Sequence, residues 1–116
     1  MARNRTHADL LVEEWVKKAT DDELNAQSIL RHRDGTAGGV CFLSQQMAEK
    51  YLKAFLVHRE GRYPKVHPTD ALWELCVALD PAFAVIKEDA VFLTHFYVPS
   101  RYPGDYPDFY GDEPPQ

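Results

Sequence analysis

Residues 37–58 read AGGVCFLSQQMAEKYLKAFLVH, and the periodicity of this stretch decides the architecture. Val40, Leu43, Met47, Ala48, Tyr51, Leu52, Ala54 and Phe55 recur at spacings of three and four, which gathers them on one side of a helix. They cover nearly half the circumference. Gln45, Gln46, Glu49 and Lys53 gather opposite, with Lys50 at the margin. An apolar arc this wide belongs to a helix packed against more than one neighbour, since a helix lying on a single surface needs only a stripe. The run Glu60-Gly61-Arg62-Tyr63-Pro64 then ends it.

Working outward, the same period runs through Ala8, Leu11, Val12, Trp15, Ala19, Ala26, Ile29 and Leu30, predicting a helix from about Thr6 to Arg31. Thr20-Asp21-Asp22-Glu23 fits a capping box and offers a break, but the apolar phase survives across it, which favours one long helix. After the second helix, Pro68 suits the first turn of a short third helix with the stripe Leu72, Leu75, Cys76, Leu79, stopped by Asp80-Pro81. A fourth helix is expected over about Ala82 to Val98, with Phe83, Ile86, Ala90, Leu93 and Tyr97 inward. Val85, Phe92 and Phe96 form a second stripe nearly opposite, either covered by the tail or serving as a homodimer interface. Beyond Pro99 the prolines forbid further helix, while Tyr102, Tyr106, Phe109 and Tyr110 suggest packing. The expectation is an all-α antiparallel up-and-down bundle of four to five helices over residues 1–103. A Pro-rich tail, 104–116, is packed on the bundle or disordered.

Thirteen Lys/Arg against eighteen Asp/Glu give a net charge of −5, which argues against broad DNA binding but leaves room for a local basic site. No apolar run is long enough to span a membrane, and the start MARNRTHADLLVEEW lacks a signal peptide's apolar core. Cys41 and Cys76 sit in apolar helical patterns and form no CxxC, as expected of reduced cysteines in a cytoplasmic protein. No metal-ligand cluster, Gly-rich phosphate loop or Ser/His/Asp set is present, so no metal or cofactor is expected.

Four segments, in order, resemble the HEPN domain (higher eukaryotes and prokaryotes nucleotide-binding). Trp15, Lys18-Ala19, Asp22, Ala26 and Leu30 match its first helix. Cys41-Phe42 leading into SQQMAEKYLKAFL (44–56) is similar to the family's QQAAEKALKALL. His67 with Asp70-Ala71-Leu72 and Leu75 is like its HDLxxL, and Tyr97 with Ser100-Arg101-Tyr102-Pro103 is like its YxxSRYP. The resemblance implies a helical bundle, commonly homodimeric, that binds a nucleotide, RNA or a partner protein. It also implies pairing with a minimal nucleotidyltransferase in a prokaryotic two-component, toxin–antitoxin-like module. Ribonuclease members carry an Arg, four to six residues, then a His near the last helix. Here no histidine follows Arg101, and Arg62 with His67 has the spacing only in the loop between the second and third helices.

The candidate residues follow from that frame. Arg101 offers a guanidinium that forks onto phosphate, and Tyr97 and Tyr102 flank it as stacking rings. Asp22 occupies an apolar phase of the first helix and, if buried, needs a cationic partner, Arg101 or Lys50. Lys50, Lys53, Arg59, Arg62 and Lys65 against Glu60 make a local basic excess able to receive phosphate or an acidic partner surface. His67 caps or packs at a helix start, or belongs to the ligand site. His95 falls on a solvated face. Binding leads as the functional reading; the alternative is a metal-independent endoribonuclease in which Arg101 acts with His67 or His95.

Overall fold

Thr6 opens the first helix by a reciprocal cap: its hydroxyl accepts from the Asp9 amide at 3.1 Å, and the Asp9 carboxylate accepts from the Thr6 amide at 3.0 Å. From there α1 (His7–His32) runs unbroken in the computed structural model, which describes residues 5–97. The internal box that offered a break is put to another use. The Tyr51 hydroxyl, reaching over from the second helix, lies 3.3 Å from Thr20 Oγ1 and donates to Glu23 at 3.2 Å. Arg33, in the left-handed region at φ 56°, turns the chain, and Thr36 caps α2 (Ala37–Glu60) by accepting from the Gly39 amide. Gly61 at φ 81° ends α2 in the left-handed conformation that glycine adopts without strain.

The first two helices pack antiparallel, as the cross-pairs Asp22 with Lys50 and Thr20 with Tyr51 show. Buried Ala19 and Ala26, two turns apart, leave room for α2 to approach closely. On its other flank α2 meets α3 (Thr69–Leu79), where Leu52, Leu56, Leu72 and Cys76 make the apolar core. Phe55, Tyr63, Val66, Trp73, Leu79 and Phe83 pack around it. The wide apolar arc therefore has its two neighbours. Burial pushes the Cys76 thiol up to about 11, so it stays protonated and donates to the Leu52 carbonyl at 3.6 Å.

The expected fourth helix over 82–98 is corrected by the structure. The chain forms a 3-10 segment (Pro81–Ile86) and then a short α4 (Lys87–Thr94). The Phe83 ring packs edge-to-face on Phe55 at 4.6 Å, and its carbonyl accepts the Trp73 indole N–H at 2.7 Å. A carbonyl bonded sideways, together with the Asp80 cap on the Ala82 amide, holds this stretch in the tighter turn. α4 ends at Thr94, so Tyr97 lies past it rather than on it. The close of α4 is tied to the start of α3, because Thr94 Oγ1 accepts from the Asp70 amide at 2.8 Å. Val85 and Phe92 are exposed, and Phe92 packs edge-to-face on half-buried Phe96. Arg101, Tyr102 and the tail lie outside the described residues. Among the described residues no strand forms, and no helix is long and apolar enough to cross a membrane.

Leu72 is fully buried between α2 and α3, whereas Leu30 is 63% exposed. Leu72→Ala is expected to lower unfolding stability by about 2–5 kcal/mol, and Leu30→Ala by less than about 0.5 kcal/mol. Urea denaturation of the two variants checks the assignment of the core.

Candidate functional site

The polar side of α2 is not a solvated face. Gln45, Glu49 and Lys53, which the sequence places opposite the apolar arc, are buried. They stand at i, i+4 and i+8, so they form one line along the helix. The loop between α2 and α3 folds over this line and supplies its partners. Glu49 Oε2 accepts from Lys53 Nζ at 3.0 Å and from His67 Nδ1 at 2.7 Å. Gln45 Nε2 lies 3.4 Å from Glu49 Oε1, 3.3 Å from the His67 carbonyl and 3.2 Å from Thr69 Oγ1, tying α2 to the first residue of α3.

Charge bookkeeping explains why the interior tolerates the cluster. Burial pushes the Glu49 carboxyl up, but the His67 hydrogen bond and the charge and hydrogen bond of Lys53 together outweigh it. The carboxyl ends below its ordinary value of 4.5. An ionised carboxylate only accepts, so His67 Nδ1 must carry a proton toward it. Lys53 Nζ, 3.4 Å from the same ring nitrogen, is then a second donor to the carboxylate and not a partner of the ring. Glu49 thus fixes both the orientation and the tautomer of His67.

Aromatic rings enclose the lysine. Lys53 Nζ lies 5.4 Å from the Trp15 ring centroid and 5.5 Å from that of Tyr63, and the two rings meet edge-to-face at 5.1 Å. Each ring face attracts the ammonium. Trp15 Nε1 is buried without a hydrogen-bond partner among the described residues. On the outer side His67 keeps 36% of its side chain exposed and stacks almost parallel on Tyr97, 10° between planes at 6.0 Å.

The remaining sequence candidates divide from this cluster. Asp22 pairs with Lys50 at 2.5 Å, both partly buried between α1 and α2, so the expected cationic partner is Lys50. The basic excess over 50–67 is not one surface. Lys50 and Lys53 are taken up by carboxylates, while Arg59, Arg62 and Lys65 are exposed. Arg62 flanks an apolar groove, and His67 turns to Glu49, so the spacing of these two residues brings no pair together. His95 is exposed at the close of α4, with Nδ1 3.2 Å from the Phe92 carbonyl. Among the described residues no group of His, Cys, Asp and Glu is arranged to hold a metal. Of the residues in this cluster, sequence reasoning named His67, Lys53 and Tyr97 as candidates and did not name Gln45 or Glu49. The signal available was their shared line with Lys53.

Removing Glu49 leaves a buried ammonium without its counter-charge, and Glu49→Gln is expected to cost about 3–5 kcal/mol at neutral pH. Because the folded carboxyl lies below its unfolded value of 4.5, its contribution is complete above that pH and is lost as pH falls through the folded value. Urea midpoints measured from pH 7 to pH 3 should therefore fall more steeply for the wild type than for Glu49→Gln.

Comparison with known proteins converges on the same helices. The family model of the HEPN domain matches residues 12–113, from the first turns of α1 to beyond α4. No curated protein and no solved structure matches the chain. With an all-helical bundle in place and most of the sequence covered by that one family model, the chain belongs to the HEPN domain family.

Proposed function

We propose that this HEPN domain binds a nucleotide at the His67–Tyr97 corner and works as a homodimer beside a minimal nucleotidyltransferase, in a prokaryotic two-component module. The observation that supports nucleotide binding is the parallel stack of His67 on Tyr97 at a partly open rim, with the imidazole held from below by buried Glu49. Two flat rings fixed in one plane direction offer a platform on which a base stacks, and their rigidity lowers the ordering cost of binding. Arg101, four positions beyond Tyr97 in the sequence, supplies the phosphate-binding guanidinium in this reading, and Tyr102 a further ring. Lys53 is only 2% exposed, so it acts by keeping Glu49 ionised beneath His67 rather than by touching the ligand. Lys50 with Asp22 fixes α1 against α2 at the flank of the site.

Calorimetric titration with ATP and with a short single-stranded RNA tests the reading. Tyr97→Ala is expected to weaken binding roughly 5- to 150-fold, the worth of one stacked base, while Tyr97→Phe keeps the affinity. Arg101→Ala weakens binding of phosphate-bearing ligands but not of the free nucleoside. A wild type that binds neither ligand at millimolar concentration overturns the proposal.

One observation favours a second reading as a metal-independent endoribonuclease: a carboxylate holding imidazole Nδ1 is the arrangement that readies the other ring nitrogen for proton transfer. Cleavage of RNA in EDTA by the wild type, lost in both His67→Gln and Arg101→Ala, would move the site to that reading.

Exposed Val85 and Phe92, together with Phe96, support the homodimer. Light scattering should give a dimer for the wild type and a monomer for Val85→Asp/Phe92→Asp, with Leu24→Asp on exposed α1 surface still dimeric. A monomeric wild type removes the interface.

A further inference from the structure

Two apolar hollows of similar size open beside α2, and neither is lined by His67 or Tyr97. One, of about 370 Å³, lies against the 3-10 segment and α4, between Met47, Tyr51, Phe83, Ile86, Asp89 and Leu93. The other, of about 360 Å³, lies at the ends of α2 and α3, between Leu56, Glu60, Arg62, Tyr63, Leu75 and Leu79. Their floors are alike but their rims differ in charge. Asp89 edges the first, next in sequence to exposed Glu88. Around the second, Arg62 lines the wall, Arg59 donates to the Leu79 carbonyl while lying over Phe55, and Lys65 is exposed in the adjoining loop. Glu60 is the one opposing charge in that lining. Leu75 stands 42% exposed there, an apolar side chain that water solvates poorly.

We infer that the second groove seats the chain's own C-terminal segment, residues 104–116, and this inference stands apart from the nucleotide reading. The segment GDYPDFYGDEPPQ holds Asp105, Asp108, Asp112 and Glu113 with no Lys, Arg or His, so its charge suits the arginine rim and is repelled by the Asp89 rim. It holds Tyr106, Phe109 and Tyr110 for an apolar floor. Its prolines exclude a helix and favour an extended left-handed conformation of three residues per turn. In that conformation Tyr106 and Phe109 fall on one edge and Asp105 and Asp108 on the next. One edge enters the groove while the other faces Arg59 and Arg62. Reach is sufficient. Tyr97 is fixed on His67, and Arg62, five residues back along the loop, lies within about 18 Å of His67 by covalent geometry. Residues 98–106 extend to about 30 Å.

Methyl NMR of the full chain tests the docking. In the wild type, the ring currents of Tyr106 and Phe109 shift the Leu56, Leu75 and Leu79 methyl signals. Tyr106→Ala/Phe109→Ala should abolish these shifts and leave the Met47 and Leu93 signals in place. Arg62→Glu should produce the same loss, and adding Asp108→Arg to Arg62→Glu should recover it. Unmoved Leu75 and Leu79 signals in the Tyr106→Ala/Phe109→Ala variant, or movement of Met47 and Leu93 instead, overturns the inference. Mixing the labelled double variant with unlabelled wild type decides the remaining occupant. Shifts restored by mixing assign the segment to a second copy and also overturn docking within one chain; shifts not restored support it.

Discussion

A carboxylate placed inside a helical bundle has to be answered by donors, and in this chain the answer to Glu49 organises everything on one side of α2. Lys53 comes from the same helix one turn on, so it costs no tertiary arrangement. His67 does, since it must arrive from the loop between α2 and α3. Once His67 is held, its carbonyl and Thr69 meet Gln45, which fixes where α3 starts. The outer face of the same imidazole then receives Tyr97, and the chain leaving α4 is set against the loop. A buried ion pair is weak evidence for stability, because desolvation offsets much of its attraction. What it supplies here is position: α2 and the loop before α3 are joined at one carboxylate oxygen, and Tyr97 is placed on the imidazole held there.

The first helix contributes differently. It brings Trp15 over Lys53 and leaves the indole N–H buried without a partner among the described residues, a loss of about 1–3 kcal/mol for an unmade bond. A desolvated ammonium over a tryptophan face returns about 2 kcal/mol, and Tyr63 offers a second face. The two effects are of the same size. Trp15 therefore serves as a cover that keeps water from Lys53 and Glu49, and the low local polarity sharpens the hold of Glu49 on His67.

The fold was legible because helices announce themselves by period. The spacing of three and four in residues 37–58 named both the helix and its need for two flanks, and the continuous phase through Ala19 and Ala26 argued for one first helix. Two features were not legible, each for a physical reason. The break at Ile86 comes from Trp73 reaching the Phe83 carbonyl, a contact between residues ten apart that no local pattern encodes. The burial of Glu49 and Gln45 was hidden because a helical wheel shows which residues share a side, not which side faces a neighbour. A loop that closes over a polar line turns it inside, and loops are the part of a chain with the least periodic signal. Of the candidate site, the sequence offered His67, Tyr97, Lys53 and the Asp22–Lys50 pairing. It could not show that Glu49 is the group to which Lys53 and His67 answer.

The basic residues between 50 and 65 divide between the interior and the surface of an acidic chain. Lys50 and Lys53 are neutralised within the bundle by Asp22 and Glu49, so neither adds to the field outside. Arg59, Arg62 and Lys65 remain, gathered at the C-terminal end of α2, where the last carbonyls make the local potential negative and cations are favoured. Of these, Arg62 lines an apolar hollow and Arg59 donates to the Leu79 carbonyl at its wall, so positive charge and apolar surface lie side by side there. A phosphate backbone alone answers only the charge. The overall charge of −5 disfavours such a backbone over the rest of the surface.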